Sequence, residues 1–190
     1  MSTQTKTLLT PDQYLEIERQ APYKSEYWQG VMFAMAGASR QHDVLAGNLF
    51  ASLHQQFRGR PCEVYKSDMR VYLPATGLYT YPDVVAVCGP GAFADDHVDT
   101  LINPSFLAEV LSPSTEAYDR GRKSEHYRTM ESLQEYLLIA QDRIHVELYT
   151  RQQDGTWLLR EANQLQDIVQ LRSIGCHIHL LELHEKIHEG

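Results

Sequence analysis

Two apolar segments of this chain each carry a single acid. Asp83 stands directly after Pro82 and is followed by Val84, Val85, Ala86 and Val87, while Glu109 interrupts Phe106-Leu107-Ala108-Glu109-Val110-Leu111. Runs of this composition read as β-strands and as candidates for the centre of a sheet. A carboxylate entering such a strand is costly unless it is paired, hydrogen-bonded or bound to a metal, so each acid has to meet such a partner in the fold. Two acids in neighbouring strands could together hold a hard divalent cation, because Mg²⁺ takes oxygen ligands and commonly uses one or two carboxylates plus waters. Taken singly, each is better explained by a solvated strand face or by an ion pair with a nearby Arg or Lys.

The surrounding pattern predicts a mixed α/β (α+β) chain without repeats or linkers. Thr10-Pro11-Asp12-Gln13 predicts a helix to about Arg19, with Thr10 as cap, Pro11 in the first turn and Gln13 completing a capping box. Lys24 to Ala36 reads as a hairpin turning near Gln29-Gly30. After Ser39, the spacing of Val44, Leu45, Leu49, Leu53 and Phe57 predicts a helix ending near Gly59, with one face on a sheet. Cys62 to Leu73 and Tyr81 to Cys88, joined by a turn at Pro74 to Gly77, join Phe106 to Leu111 as expected central strands. A charged helix from about Asp119 to Glu131 then leads to a strand over Tyr136 to Ala140, an order that suggests a right-handed crossover. Asp154-Gly155 predicts a hairpin between Ile144–Thr150 and Thr156–Arg160, and Ile178 to Leu183 forms a terminal strand or helix.

Bulk properties narrow the class. The chain has 190 residues, the size of one domain, and no stretch approaches the ~18 apolar residues that span a bilayer. Its opening residues lack the basic start and apolar block of a secretory signal. Cys62, Cys88 and Cys176 are odd in number and widely spaced, which argues against disulfides and against a cysteine zinc site. A cytoplasmic location, with no membrane partner, is expected from these features. The net charge of -8 argues against indiscriminate nucleic-acid binding, which depends on neutralising phosphates, although Arg120, Arg122, Lys123 and Arg128 group locally.

Asp119, Lys123 and Tyr127 are spaced by four and so share one helix face, from which Lys123 could reach the acid-bearing strands. A Lys beside a bound metal could stabilise charge on phosphate or position an attacking water. An isolated Asp119-Lys123 surface pair would instead contribute only about 0.3 to 0.5 kcal/mol.

In order along the chain, Ser25-Glu26-Tyr27-Trp28-Gln29-Gly30, Met35-Ala36-Gly37-Ala38-Ser39 with His42, Tyr81-Pro82-Asp83-Val84-Val85, Ala108-Glu109-Val110-Leu111-Ser112-Pro113-Ser114-Thr115, and Asp119, Lys123 and Tyr127 resemble the Uma2 family. That family, formerly a domain of unknown function, belongs to the restriction-endonuclease-like proteins, and the resemblance covers roughly residues 8 to 185. It implies a PD-(D/E)XK core: a mixed central sheet flanked by helices, here preceded by a helix and hairpin, in a single domain over residues 1–190. It further implies Asp83 and Glu109 as metal ligands for Mg²⁺ or Mn²⁺, Glu26 as an additional acid, and Lys123 as base or charge stabiliser. Leu111 stands where the simplest signature has its Lys, so the base comes from the following helix; Gln29 stands where the family usually has Asp.

Four further residues border this expected site. His42 could hydrogen-bond Glu26 or contact phosphate, Lys66 could contact the nucleic-acid backbone, and Asp119 and Tyr127 could support the ligands; a boundary histidine and a surface strand lysine explain the first two as well. His177, His179, His184 and His188 form a tail expected to be solvated, since they lack the spacing and third ligand of a zinc site. The expected activity is metal-dependent hydrolysis of nucleic acid, DNA in the first place, by a homodimer. The alternative is a catalytically weak or inactive binding protein on the same fold.

Overall fold

The structure, a computed structural model, describes residues 8–35 and 37–187. Helix α1 (Pro11–Glu18) starts as the sequence predicts: Thr10 Oγ1 accepts from the Gln13 amide, and the Gln13 side chain accepts from the Thr10 amide. Strands β1 (Ser25–Trp28) and β2 (Val31–Ala34) form the expected hairpin. Both turn residues have left-handed φ, 49° at Gln29 and 83° at Gly30, the geometry that matches the twist of the flanking strands. A Cβ on Gly30 would fall 2.6 Å from Leu8 Cβ, so the second position needs glycine for space as well as for φ.

Helix α2 (Arg40–Gln56) begins at Ser39, whose Oγ accepts from the His42 amide, and buries Leu45, Leu49 and Leu53. Then come β3 (Cys62–Lys66), β4 (Arg70–Leu73), β5 (Leu78–Thr80), β6 (Val84–Cys88), β7 (Thr100–Leu101) and β8 (Phe106–Leu111). After β8 the helical segment runs as α3 (Glu116–Tyr118), a π-helical turn (Asp119–Lys123) and α4 (Ser124–Arg128). The chain closes with β9 (Glu135–Ala140), β10 (Val146–Arg151), β11 (Trp157–Ala162), β12 (Ile168–Leu171), β13 (Cys176–His179) and α5 (Leu180–Leu183).

The central sheet has six strands in the order β11-β10-β9-β8-β6-β3, with β8 and β9 parallel and the other neighbours antiparallel. Parallel neighbours require a crossover, which the helical segment supplies. A second sheet runs β2-β1-β5-β4-β7, and β12 pairs with β13. One face of the central sheet, through Val84, Ala86, Phe106, Ala108, Val110 and Leu137, packs on α2. The other, through Val85, Val87, Leu107, Leu111 and Leu138, packs on Tyr127, Met130 and Leu133 and on Val71, Leu73 and Leu101 of the second sheet. Covered faces on both sides explain why β6 and β8 read as nearly unbroken apolar runs.

Three expectations are corrected. The segment Cys62 to Leu73 does not contribute one central strand: it turns at Lys66 to Met69, where the Met69 amide donates to the Lys66 carbonyl, and β4 leaves for the second sheet. There Arg70 is buried against Tyr81 and Thr100, a partnership that strand periodicity does not show. Cys62 and Cys88 are not free thiols: they face each other across the antiparallel β3-β6 register and form a disulfide. Spacing along the chain carries no information about that register, so the cysteine pattern does not bear on a compartment; Cys176 is free and buried. The histidine tail is not uniformly solvated, because His184 is buried at the end of α5 with Nδ1 2.9 Å from the Leu180 carbonyl; His188 lies outside the described residues. Among the described residues, no helix is long and apolar enough to cross a membrane.

Candidate active site

The acids meet where the start of β6 lies beside the middle of β8. Asp83 occupies the bend before β6, and the antiparallel pairing of Val84 with Ala108 places it, one step further along, across from Glu109. Asp83 Oδ2 accepts from the Val110 amide at 2.7 Å and lies 3.0 Å from His42 Nε2. Glu109 and Lys123 are each only 4% exposed. Glu109 Oε1 accepts from the Tyr127 hydroxyl at 2.7 Å and lies 2.7 Å from Lys123 Nζ. The same ammonium stands 3.3 Å from Glu26 Oε1 and 3.5 Å from Asp119 Oδ1.

Each group is held by the element that carries it. Helix α1 clamps Ser25, next to Glu26, from both sides: Tyr14 OH donates to the Ser25 carbonyl at 2.7 Å, and the Ser25 amide donates to Glu18 Oε1 at 2.7 Å. Glu26 then accepts from Thr80 Oγ1 on β5 and from Tyr118 OH, the latter at 3.2 Å. Arg120, in the π-helical turn, spans Glu116 at 2.8 Å and Glu147 Oε2 at 2.6 Å, fastening that turn to β10. Tyr136 OH donates to the Asp119 carbonyl at 3.2 Å. The π geometry adds a residue to the turn between Asp119 and Lys123, a local widening that is frequent at functional sites.

Electrostatics follow from that crowding. Burial pushes the Glu109 carboxyl well above its ordinary range, the Lys123 ammonium opposes the shift, and the charges of Asp119 and Asp83 reinforce it. Asp119 is raised for the same leading reason. Burial alone would lower Lys123, but Glu109, Glu26 and Asp119 outweigh it and hold the ammonium well above its usual value. Burial also lifts the Tyr127 hydroxyl, and Glu109 adds to that shift. At His42 burial works downward, and the hydrogen bond and charge of Asp83 turn the net shift upward.

Of the sequence-predicted residues, Glu26, Glu109, Asp119, Lys123 and Tyr127 therefore share one buried cluster, and Asp83 with His42 adjoins it; His42 meets Asp83 and not Glu26, because α2 approaches from the opposite face of the central sheet. Lys66 does not join: it is exposed at the end of β3, opposite Val84, and forms no ion pair among the described residues. Sequence reasoning missed Thr80 and Tyr118. Tyr118 directly precedes Asp119, but Thr80 reaches Glu26 through the β1-β5 pairing and leaves no local trace.

The carboxylate oxygens offered by Asp83, Glu109, Glu26 and Asp119 are the donor set suited to a hard cation such as Mg²⁺ or Mn²⁺. Four buried or half-buried carboxylates face one ammonium and one imidazole, a surplus of negative charge that a divalent cation would balance. Among the described residues, the four acids around Lys123 stand further apart, whereas the group of three or more metal-ligating side chains whose ligand atoms all lie within 4.8 Å of one another is His145, Glu147 and Glu161. There, however, Arg120 already neutralises Glu147, so that set has no comparable surplus.

The family model described as "Putative restriction endonuclease", Uma2, matches residues 11–180. Two uncharacterized proteins of Synechocystis sp. are similar along most of their length. One, slr1290, is 38% identical over 167 residues, covering 88% of this chain and 86% of that protein; the other, sll1609, is 41% identical over 161 residues, covering 85% and 91%. The crystal structure of an Anabaena variabilis protein, described as a "putative nuclease belonging to DUF820", superposes with a TM-score of 0.75 at 17% identity, covering 94% of this chain and 99% of that one, and so shares its mixed α/β fold. By the extent of the family match and by these relatives, the chain belongs to the Uma2 family.

Proposed function

We propose that this chain is a metal-dependent nuclease that hydrolyses phosphodiester bonds, DNA being the first substrate to test. The observation that carries the reading is the convergence of Glu109, Glu26 and Asp119 on the Lys123 ammonium, with Asp83 placed across from Glu109. In this reading Asp83 and Glu109 hold Mg²⁺ or Mn²⁺, and Glu26 assists. A cation held there supplies Lewis acidity toward the phosphate and makes water a better nucleophile at neutral pH.

The protein's own residues divide the remaining work. Without a cation, Glu109, Glu26 and Asp119 hold the proton on Lys123, and an ammonium at this place would stabilise charge on the phosphate. Tyr127 orients the Glu109 oxygen that also faces Lys123, and Asp119 holds the ammonium from its own turn. Both the Uma2 family and the Anabaena protein are described in terms of nuclease activity, which supports the same reading.

The competing reading is an inactive binding protein, favoured by the net charge of -8, which is poorly matched to a polyanionic substrate. Single-stranded, duplex and branched DNA, and RNA, incubated with Mg²⁺ or Mn²⁺ beside an Asp83→Asn control, separate the two. Cleavage by the wild type and none by the variant is expected. Absence of cleavage on every substrate, together with absence of a metal-induced rise in melting temperature, would favour the binding protein.

A further inference from the structure

Asp83 presents its two oxygens unequally. It lies in the bend before β6, outside the strand ladder, so backbone pairing does not set the rotation of its carboxylate. Both protein partners fall on Oδ2: the Val110 amide at 2.7 Å and His42 Nε2 at 3.0 Å. Among the described residues Oδ1 accepts no hydrogen bond. A terminal carboxylate torsion has only a broad, two-fold preference of its own, so a hydrogen bond and an ion-pair contact on the same oxygen decide which one is left without a protein partner.

His42 comes to this position from the far side of the sheet. It lies in the first turn of α2, and its amide donates to the Ser39 cap at 3.1 Å while Leu45, Leu49 and Leu53 of the same helix sit in the core. The helix is thereby fixed, and the imidazole is fixed with it. Nε2 is the nitrogen that meets Asp83, whereas among the described residues Nδ1 is buried without a hydrogen-bond partner.

Resting on the metal-site reading above, we infer that His42 is a positioning residue: its imidazole, with Nε2 3.0 Å from Asp83 Oδ2, engages that oxygen so that Oδ1 is left free to ligate the divalent cation. Partners of this kind orient ligating carboxylates and sharpen metal affinity. His42 touches neither cation nor substrate in this role.

The test is calorimetric titration of Mn²⁺ into the full chain, comparing wild type, His42→Ala and His42→Gln, with folding of each checked by circular dichroism in chelator. His42→Ala should bind Mn²⁺ about 10- to 100-fold more weakly, the usual effect of losing such a partner. His42→Gln should recover most of the loss, because its amide nitrogen reaches about as far as Nε2. Affinity of His42→Ala within twofold of wild type would overturn the inference and leave the metal site intact. If His42→Ala does not fold, His42→Asn replaces it: its amide falls short of Asp83, so His42→Gln should bind at least about fivefold more tightly, and equal affinities would overturn the inference. A wild type that binds no Mn²⁺ would overturn the metal reading itself, and this inference with it.

Discussion

Lys123 Nζ lies 2.7 Å from Glu109 Oε1, although one residue belongs to a π-helical turn and the other to the middle of a central strand. This contact is the hinge of the site. It lets a carboxylate sit in a strand with all six residues buried, and it gives three acids from β1, β8 and the helical segment a common counter-charge.

Lys123→Met should therefore destabilise the fold strongly. Methionine fills much of the same space, but removing one partner of a buried pair leaves uncompensated charge, typically at a cost of about 3 to 5 kcal/mol. Urea unfolding at neutral pH in chelator measures this. Part of the loss should return at mildly acidic pH, where a raised Glu109 takes up a proton. A variant as stable as the wild type at neutral pH would mean that the acids are already protonated there.

Metal binding should release protons and weaken as the pH falls. Glu109 is raised in the folded protein, so its contribution to stability is fully present below the unfolded carboxylate value and is lost as pH rises through the folded one. A cation competes with that proton. In chelator, stability should thus rise as pH falls from neutral toward about 5. Asp99 acts the other way but in a lower window: Arg19 draws it down to about 2, so its contribution is full above the ordinary carboxylate value and is lost as pH falls from there through about 2. Titrations of Mn²⁺ in buffers of different ionisation enthalpy count the protons released, and identical heats in all buffers would contradict a raised Glu109.

Asp83→Asn should separate metal binding from folding. The asparagine oxygen can still accept from the Val110 amide, and one charge repelling Glu109 is gone, so in chelator the variant should lie within about 1 kcal/mol of the wild type. The wild type should gain about 2.7 kcal/mol at a hundred times the dissociation constant for Mn²⁺ or Mg²⁺, and the variant almost nothing. His145→Ala should keep the full response. Thermal melts with and without metal read all three, and an Asp83→Asn protein that melts far below wild type in chelator would mark Asp83 as a structural ion.

Reduction of Cys62-Cys88 should lower stability without abolishing the metal response. The bond joins residues 26 apart, a loop for which chain-entropy arguments give about 3 kcal/mol. It ties the edge strand β3 to β6 at the end remote from Asp83; the Lys66–Val84 pair marks the near end. Denaturant unfolding with and without dithiothreitol, and of Cys62→Ser, should show matching losses; an oxidised wild type no more stable than Cys62→Ser would exclude the bond as a support.

The local elements were largely legible in the sequence. The capping box at Thr10, the Gln29-Gly30 turn, the leucine face of α2 and the Asp154-Gly155 hairpin all depend on residues a few positions apart, and all stand where the pattern places them. The two acids in apolar strands were also visible, because a charge in such a run is anomalous whatever surrounds it, and the spacing of Asp119, Lys123 and Tyr127 already gave them a shared face. Short strands such as β7 and β12 were not visible, being held by neighbours more than by their own periodicity.

What the sequence determined by itself was thus most of the local elements and the two acids that interrupt apolar strands, since propensity, capping and burial cost act within a few residues of chain. Register and sheet membership decided the rest: that β4 departs from β3's sheet, that Cys62 meets Cys88, that His42 reaches Asp83 from across the sheet, and that Thr80 closes on Glu26. Those pairings join residues tens of positions apart, and their energies depend on distances that exist only after the sheets have packed.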